Sequence, residues 1–442
     1  MESQVSAARV ARLLAVSVLT ALCQPGTPPA HAVSPPQIDD RWLPKPALPA
    51  PPWPTVQREV CATMTADPGP RRDGLPDLID LPRVWQLSRG AGQRVAVIDT
   101  GVSRHRRLPD VVPGGDYVSV GDGTQDCDAH GTLVAGIISA APDSRADGFG
   151  GVAPEATLIS IRQSSAKFAP AGERSHAGVG DVDTMAKAVR TAADLGASVI
   201  NISSVACVPV ASAPDDRALG AALAYAVDVK NAVVVAAAGN TGGTAQCPPQ
   251  RSDATWATVT VAVSPAWYDD YVLTVGSVNA EGTPSAFTLA GPWVDVAATG
   301  EAVTSLGSQP VSGTSYAAPV VSGLAALIRA RFPALTARQV MRRIESTAHH
   351  PPAGWDPLVG NGTIDALAAV STDPAPAGGT TAKPAPAPVP IGTPPPPEPP
   401  NSRARTIALR GAGACLVALV AALAAGAAGG RLRGSRNGVP GD

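Results

Sequence analysis

Between Arg94 and Ile98 the chain alternates and then runs apolar with β-branched side chains. That pattern predicts a strand buried on both faces of a parallel sheet, with Asp99 at its carboxyl end. Thr100 and Gly101 then turn the chain sharply. After His130 and Gly131 comes the small or apolar run Leu133 to Ile138, which predicts a closely packed helix opening at the histidine. A second apolar helix is predicted from Ser315 through Val320, Val321, Leu324 and Leu327, with Ser315 in its first turn. Pro319 is expected near the start of that helix, where its missing N–H costs little.

The ends of the chain depart from this periodicity. Arg9 and Arg12, the apolar stretch Leu13 to Leu22 and the Ala30-His31-Ala32 sequence read as a secretory signal over residues 1–32. Residues 411–430 carry no charge, and a transmembrane helix over 407–430 is long enough for a bilayer core of ~30 Å. Charge does not orient this span, since Arg403, Arg405 and Arg410 on one side balance Arg431, Arg433 and Arg436 on the other. The export signal orients it instead, with the body outside and a tail of 431–442 in the cytoplasm. A Pro/Ala-rich linker over 371–406 precedes the span, extended at ~3.1 Å per residue and reaching on the order of 100 Å. A proline-rich extension over 33–74 precedes the body at 75–370, which is large enough for one core.

Composition narrows the function classes. A formal net charge of −2, with no basic run and few aromatics, argues against nucleic-acid binding. Of the six cysteines, Cys23 falls in the signal and Cys415 in the span, leaving Cys61, Cys127, Cys207 and Cys247. Their spacing has no CxxC metal pattern and none adjoins His130, so neither zinc nor thiol chemistry is expected, and no cofactor. Four cysteines allow three pairings. The expected one joins Cys61 to Cys127 and Cys207 to Cys247, the first pinning the extension to the loop before His130.

Three strings carry the parts for nucleophilic catalysis in the order Asp, His, Ser: VAVIDTGV at 95–102, HGTLVAG at 130–136 and GTSYAAP at 313–319. His130 is the candidate base for the Ser315 hydroxyl, and Asp99 the group that fixes its tautomer and stabilises the imidazolium. AAAGN, ending at Asn240, offers a side-chain amide which, with the Ser315 backbone N–H, forms a candidate oxyanion hole. The Asp-His-Ser order is one of several in which this chemistry occurs on unrelated folds.

With these strings, GVAPEATLISIR at 151–162, GASVINIS at 196–203, VVVAAAGN at 233–240 and AGWDPLVGNGTIDALAAV at 353–370, the chain resembles the subtilisin-like serine proteases. That resemblance implies an α/β three-layer sandwich with a mainly parallel sheet, and the catalytic roles above for Asp99, His130, Asn240 and Ser315. One departure concerns specificity: Ser203 leads into Ser204, Val205, Ala206 and Cys207, where the family often has a Leu-Gly pair lining the substrate cleft. The extension is too short for the folded, cleavable inhibitor domain of secreted subtilisins, so it is expected to stay on and wrap the body. Signal, retained extension, proline tract, single span and the DCDAHGTLVAG string at 126–136 resemble the mycosins, membrane-anchored subtilases of type VII secretion systems. The resemblance implies processing of secreted proteins and a part in stabilising the secretion complex in the membrane. A mainly structural component and a general degradative subtilase are the alternatives.

Three further features have expected readings. Asp122, Asp126 and Asp128 lack the ligand order of a calcium loop and are read as a solvated acidic turn. His349 and His350 are read as an exposed pair in a surface loop. The long Gly/Ser/Ala-rich loop from Gln163 to Gly180 is expected to border the substrate cleft.

Overall fold

The computed structural model describes residues 33–63, 79–143, 149–172, 178–242, 247–307 and 309–371. The expected signal at 1–32, linker at 371–406 beyond its first residue, transmembrane helix at 407–430 and tail at 431–442 lie outside them. Among the described residues no helix is long and apolar enough to cross a membrane. In chain order the strands are β1 (Thr55–Gln57), β2 (Arg94–Asp99), β3 (Val111–Asp116), β4 (Thr157–Arg162), β5 (Phe168–Pro170), β6 (Val199–Ile202), β7 (Ala206–Pro209), β8 (Val233–Ala237), β9 (Val261–Ser264), β10 (Leu273–Val278) and β11 (Val296–Thr299). The helices are α1 (Leu81–Trp85), α2 (His130–Ser139), α3 (Val182–Asp194), α4 (Arg217–Ala224), α5 (Thr314–Arg331), α6 (Ala337–Thr347) and α7 (Ala366–Ser371).

Seven strands form one sheet in the order β11-β10-β8-β6-β2-β4-β3, and each of its pairings is parallel. The interior strands are buried: β6, β8 and β10 throughout, and β2 at every residue but Arg94. Fully burying one Val or Ile side chain stabilises by roughly 1.5–3 kcal/mol, so these runs dominate the core. The α2 and α5 helices pack on each other and on the sheet, while α3 packs on the sheet and on α4. The result is a helix–sheet–helix sandwich with a parallel sheet, as expected. From β2 the chain first builds one side of the sheet, β4 and β3, and then crosses to the other, β6 onward. The carboxyl end of β2 is therefore a topological switch point, where parallel sheets open a crevice.

The extension lies along the body. Val33 donates its backbone N–H to the Trp256 carbonyl at 2.9 Å. Arg190 Nη1 donates to the Pro44 carbonyl at 3.0 Å, and Arg217 stacks on the Trp42 ring at 3.8 Å. Pro49 fills the space a side chain on Gly115 would need, since a Cβ there would lie 2.2 Å from its ring. β1 then pairs antiparallel with β5, Thr55 opposite Pro170 and Gln57 opposite Phe168. The segment from Gln163 to Gly180 thus contains a strand where a loop was expected. Its partner is the distant extension, so nothing within the segment itself announces it.

Pro319 sits deeper than expected, in the second turn of α5. A residue with an N–H there would bond the Ser315 carbonyl one turn back. Instead Ser203 Oγ donates to that carbonyl at 2.8 Å, which satisfies the orphaned acceptor and ties α5 to the end of β6.

Candidate active site

Asp99 ends β2 fully buried, and its Oδ1 lies 2.6 Å from His130 Nδ1 and accepts the Thr100 N–H at 2.8 Å. Both residues owe their approach to local sequence. His130 is the first residue of α2, and the Gly131 behind it leaves room for the β2 end: a Cβ on Gly131 would lie 2.2 Å from the Gly101 carbonyl and 3.2 Å from Asp99 Oδ1. About a quarter of the His130 side chain, 26%, remains exposed in the cleft.

The residue before α2, Ala129, is left-handed and provides no side-chain cap. Asp126 does that work from outside the helix. Its Oδ1 accepts from Ala129 N at 2.8 Å, Asp128 N at 3.1 Å and Thr100 Oγ1 at 2.8 Å, and its Oδ2 from Thr132 N at 2.9 Å and Thr132 Oγ1 at 2.7 Å. Thr100 Oγ1 in turn accepts the Gly131 N–H at 2.9 Å. The reading of a solvated acidic turn is therefore corrected. It suits Asp122, an exposed residue that accepts from Thr124 N and Oγ1. It does not suit Asp126, which organises the helix start, or Asp128, which is half-buried and accepts from Ser165 Oγ and Ala166 N. Among the described residues no group of three His, Cys, Asp or Glu is placed to hold a metal. His349 and His350 are exposed, near Asp365 and the Asn361 carbonyl respectively.

Burial pulls the His130 pKa down, but the Asp99 carboxylate, by its charge and its hydrogen bond, with smaller contributions from Asp126 and Asp128, more than offsets it. The imidazole pKa therefore lies above its ordinary 6.5. The Tyr316 ring stands beside the imidazole, its centroid 5.1 Å away.

Ser315 is the second residue of α5, so its N–H is one of the first four in the helix that have no intrahelical partner. Asn240 caps this helix end: its Oδ1 accepts from Thr314 N at 2.8 Å and Thr314 Oγ1 at 3.0 Å, and Gly239 N donates to Thr314 Oγ1 at 3.2 Å. With the carboxamide oxygen so engaged, its Nδ2 faces the other way. A Cβ on Gly313 would lie 3.0 Å from Ser315 Oγ and 3.5 Å from Asn240 Nδ2, so glycine keeps open the space between hydroxyl and amide. Beneath, Asn201 Nδ2 donates to Ser203 Oγ at 2.9 Å, and Ser322 Oγ donates to Asn201 Oδ1 at 2.8 Å. Asn201 of the VINIS string thus joins β6 to α5, a role its burial inside an apolar strand could have suggested.

His130, Asn240 and Ser315 line one cleft of about 770 Å³. Ser203–Val205 form part of its wall, and Ser164–Ala166 and Gly178–Gly180 border it, the position expected for the long loop. The extension reaches this wall from behind: Arg58 and Glu59 donate backbone N–H groups to the Lys167 carbonyl, and Ala62 to the Cys127 carbonyl. Disulfides join Cys61 to Cys127 and Cys207 to Cys247, with Cα–Cα distances of 4.4 and 5.0 Å. Chemically, a hydroxyl at a helix start, an imidazole held by a buried carboxylate and a fixed carboxamide N–H can attack and polarise a carbonyl group.

Known proteins are similar to this chain in sequence and in fold. The subtilase family pattern matches residues 90–362. Mycosin-4 of Mycobacterium tuberculosis is 71% identical, covering 98% of this chain and 99% of its own. The crystal structure of MycP1 from the ESX-1 type VII secretion system, at 43% identity, has a TM-score of 0.72 and covers 77% of this chain and 97% of its own. A chain of the periplasmic assembly from the ESX-5 inner membrane complex, at 41% identity, likewise has a TM-score of 0.72 and covers 78% of this chain and 95% of its own. The chain belongs to the subtilase family of serine proteases and, within it, to the mycosins.

Proposed function

We propose that this chain is a membrane-anchored, exported endopeptidase that cleaves proteins of a type VII secretion system with Asp99, His130 and Ser315 as its triad. The observation that carries the reading is the 2.6 Å contact of Asp99 with His130 Nδ1, in a cleft shared with Ser315 and Asn240. Ser315 Oγ attacks the scissile carbonyl carbon while His130 Nε2 takes its proton. The oxyanion is held by Asn240 Nδ2 and the Ser315 N–H. Collapse expels the amine, which leaves with the proton from His130, and an ester on Ser315 remains. Water, deprotonated by His130, then hydrolyses the ester and restores the serine.

Localisation follows from the ends. Cleavage after Ala32 makes Val33 the mature amino terminus, and the Val33–Trp256 contact would anchor it to the body. The extension at 33–74, body at 75–370, linker at 371–406, span at 407–430 and tail at 431–442 then hold the catalytic body outside the membrane. A fluorophosphonate should label Ser315 in the membrane fraction, and Ser315→Ala should abolish both labelling and the secreted-protein termini seen in wild-type cells. A folded wild-type protein that resists the reagent would defeat the reading.

A second role, stabilising the secretion membrane complex, is favoured by the relative solved within the ESX-5 assembly. It requires that Ser315→Ala preserve secretion while deletion of the chain abolishes it. Broad cleavage of casein would instead favour a general degradative subtilase.

A further inference from the structure

Asn240 lies three residues past β8, where the chain leaves the sheet; Thr314 holds its carboxamide oxygen, and the place of its backbone depends on what holds Gly239 to Thr241. Two neighbours supply backbone contacts: Leu289 N donates to the Gly239 carbonyl at 3.0 Å and Thr241 N to the Phe287 carbonyl at 2.7 Å. The third contact is Cys247 N, which donates to the Asn240 carbonyl at 2.8 Å. Cys247 is bonded through sulfur to Cys207 on β7, a strand rooted by antiparallel pairing with β9, Cys207 opposite Val263. The bridge also lies directly against the turn that aims Asn240. Gly239 has φ +100°, and a Cβ on it would stand 2.8 Å from Cys247 Sγ and 3.3 Å from Cys207 Sγ. Both cysteines line the catalytic cleft.

We propose that the Cys207–Cys247 disulfide is a positioning device for the oxyanion hole: it presses on Gly239 and holds the Asn240 backbone, so the transition state is fully stabilised only while the bridge is closed. Loop-closing stability alone would not require the bridge to touch this turn. A donor that binds developing charge must be held in place before the reaction, and a small displacement forfeits much of its effect. The inference rests on the oxyanion role given above to Asn240, and the experiment separates the two.

Turnover of p-nitrophenyl acetate, which needs no substrate-specific contact, is measured for wild type, Asn240→Ala, Cys207→Ser/Cys247→Ser and the triple variant. Near-UV circular dichroism confirms that each is folded. Asn240→Ala should lower kcat about 100-fold, the usual scale for one lost oxyanion donor. The serine pair should lower kcat about tenfold with KM within about twofold, because a misplaced donor keeps part of that effect. In the triple variant the bridge should no longer matter, with kcat within about twofold of Asn240→Ala. A full tenfold further loss in the triple variant, or a folded serine pair with wild-type kcat, overturns the proposal. An Asn240→Ala variant with wild-type kcat would instead overturn the oxyanion reading itself. Should the serine pair not fold, the same comparison is made on folded wild-type and Asn240→Ala proteins before and after limited reduction with dithiothreitol and alkylation, the opened bridge being identified by peptide mass.

Discussion

Asp126 is the residue whose importance exceeds its place in any short string. Five donors converge on its carboxylate from Thr100, Asp128, Ala129 and Thr132, and its charge adds to that of Asp99 in raising the His130 pKa. With the neutral imidazole in its proposed role as base, activity should fall as pH drops through the raised His130 value. Asp126→Asn removes a negative charge near the ring, so the acid limb of kcat/KM should move to lower pH. The variant should also lose about 1–3 kcal/mol of stability, because an amide NH2 cannot accept where a carboxylate oxygen did. An unmoved limb in a folded variant would show that the Asp126 charge does not reach His130. Ser203 offers a second test at this scale. Ser203→Ala leaves the Ser315 carbonyl and Asn201 Nδ2 each short of one partner, and about 2 kcal/mol should disappear in urea unfolding. The roles proposed for Asp99, His130, Asn240 and Ser315 are legible in sequence because that chemistry demands those residue types inside recognisable strings. Thr314 and Ser203 act through hydrogen bonds to segments far away in the chain, and spacing along the chain carries no trace of such partners; the Asp126 carboxylate bonds mostly to residues within six of it, and only its bond to Thr100 joins it to the β2 turn.

At the scale of elements, burial decided what could be foreseen. β2, α2 and α5 are buried on most of their surface, so their sequences are apolar almost throughout and their positions follow from that. β5 is three residues long and exists through its pairing with β1, an element outside the periodic body, so its own composition is uninformative. The pairing ties the extension to the segment that borders the cleft, since Ala166, two residues ahead of β5, lines it. The Cys61–Cys127 bridge, closing a separation of 66 residues, secures this arrangement at the other end. In the chain-entropy account such a loop contributes about 4 kcal/mol. Cys61→Ser/Cys127→Ser should therefore lower unfolding stability by roughly that amount and expose residues 33–63 to limited proteolysis. A variant with wild-type resistance would mean that β1–β5 pairing and the proline contacts suffice.

The whole molecule carries crowded acids, Asp269 at an exposed position and Asp295 and Glu345 half-buried, whose titration opposes that of the proposed base His130 in consequence, though not in sign. Partial loss of hydration among its neighbours first, and then repulsion from Asp270 and Glu345, push the Asp269 pKa up to about 6. Burial with the Asp269 charge holds Asp295 well above the ordinary carboxylate value, and burial raises Glu345. Each of these groups, like His130, binds its proton more tightly in the folded chain than in the unfolded one. Stability therefore rises as pH falls from the folded pKa toward the unfolded value, 3.8 for the aspartates, 4.5 for Glu345 and 6.5 for His130. The carboxylates with depressed values, such as Asp194, act below this window, and the raised tyrosines above it. The melting temperature should thus be higher at pH 5.5 than at pH 7.5, while turnover falls over the same interval as His130 protonates. Asp269→Asn should flatten the rise in melting temperature and leave the acid limb of activity in place, because the acid belongs to the loop before β10 and not to the cleft. A melting temperature that drops between pH 7.5 and 5.5 would mean that the half-buried Asp295 and Glu345 are hydrated as freely as in the unfolded chain, and the packing around them would have to be looser than the fold describes.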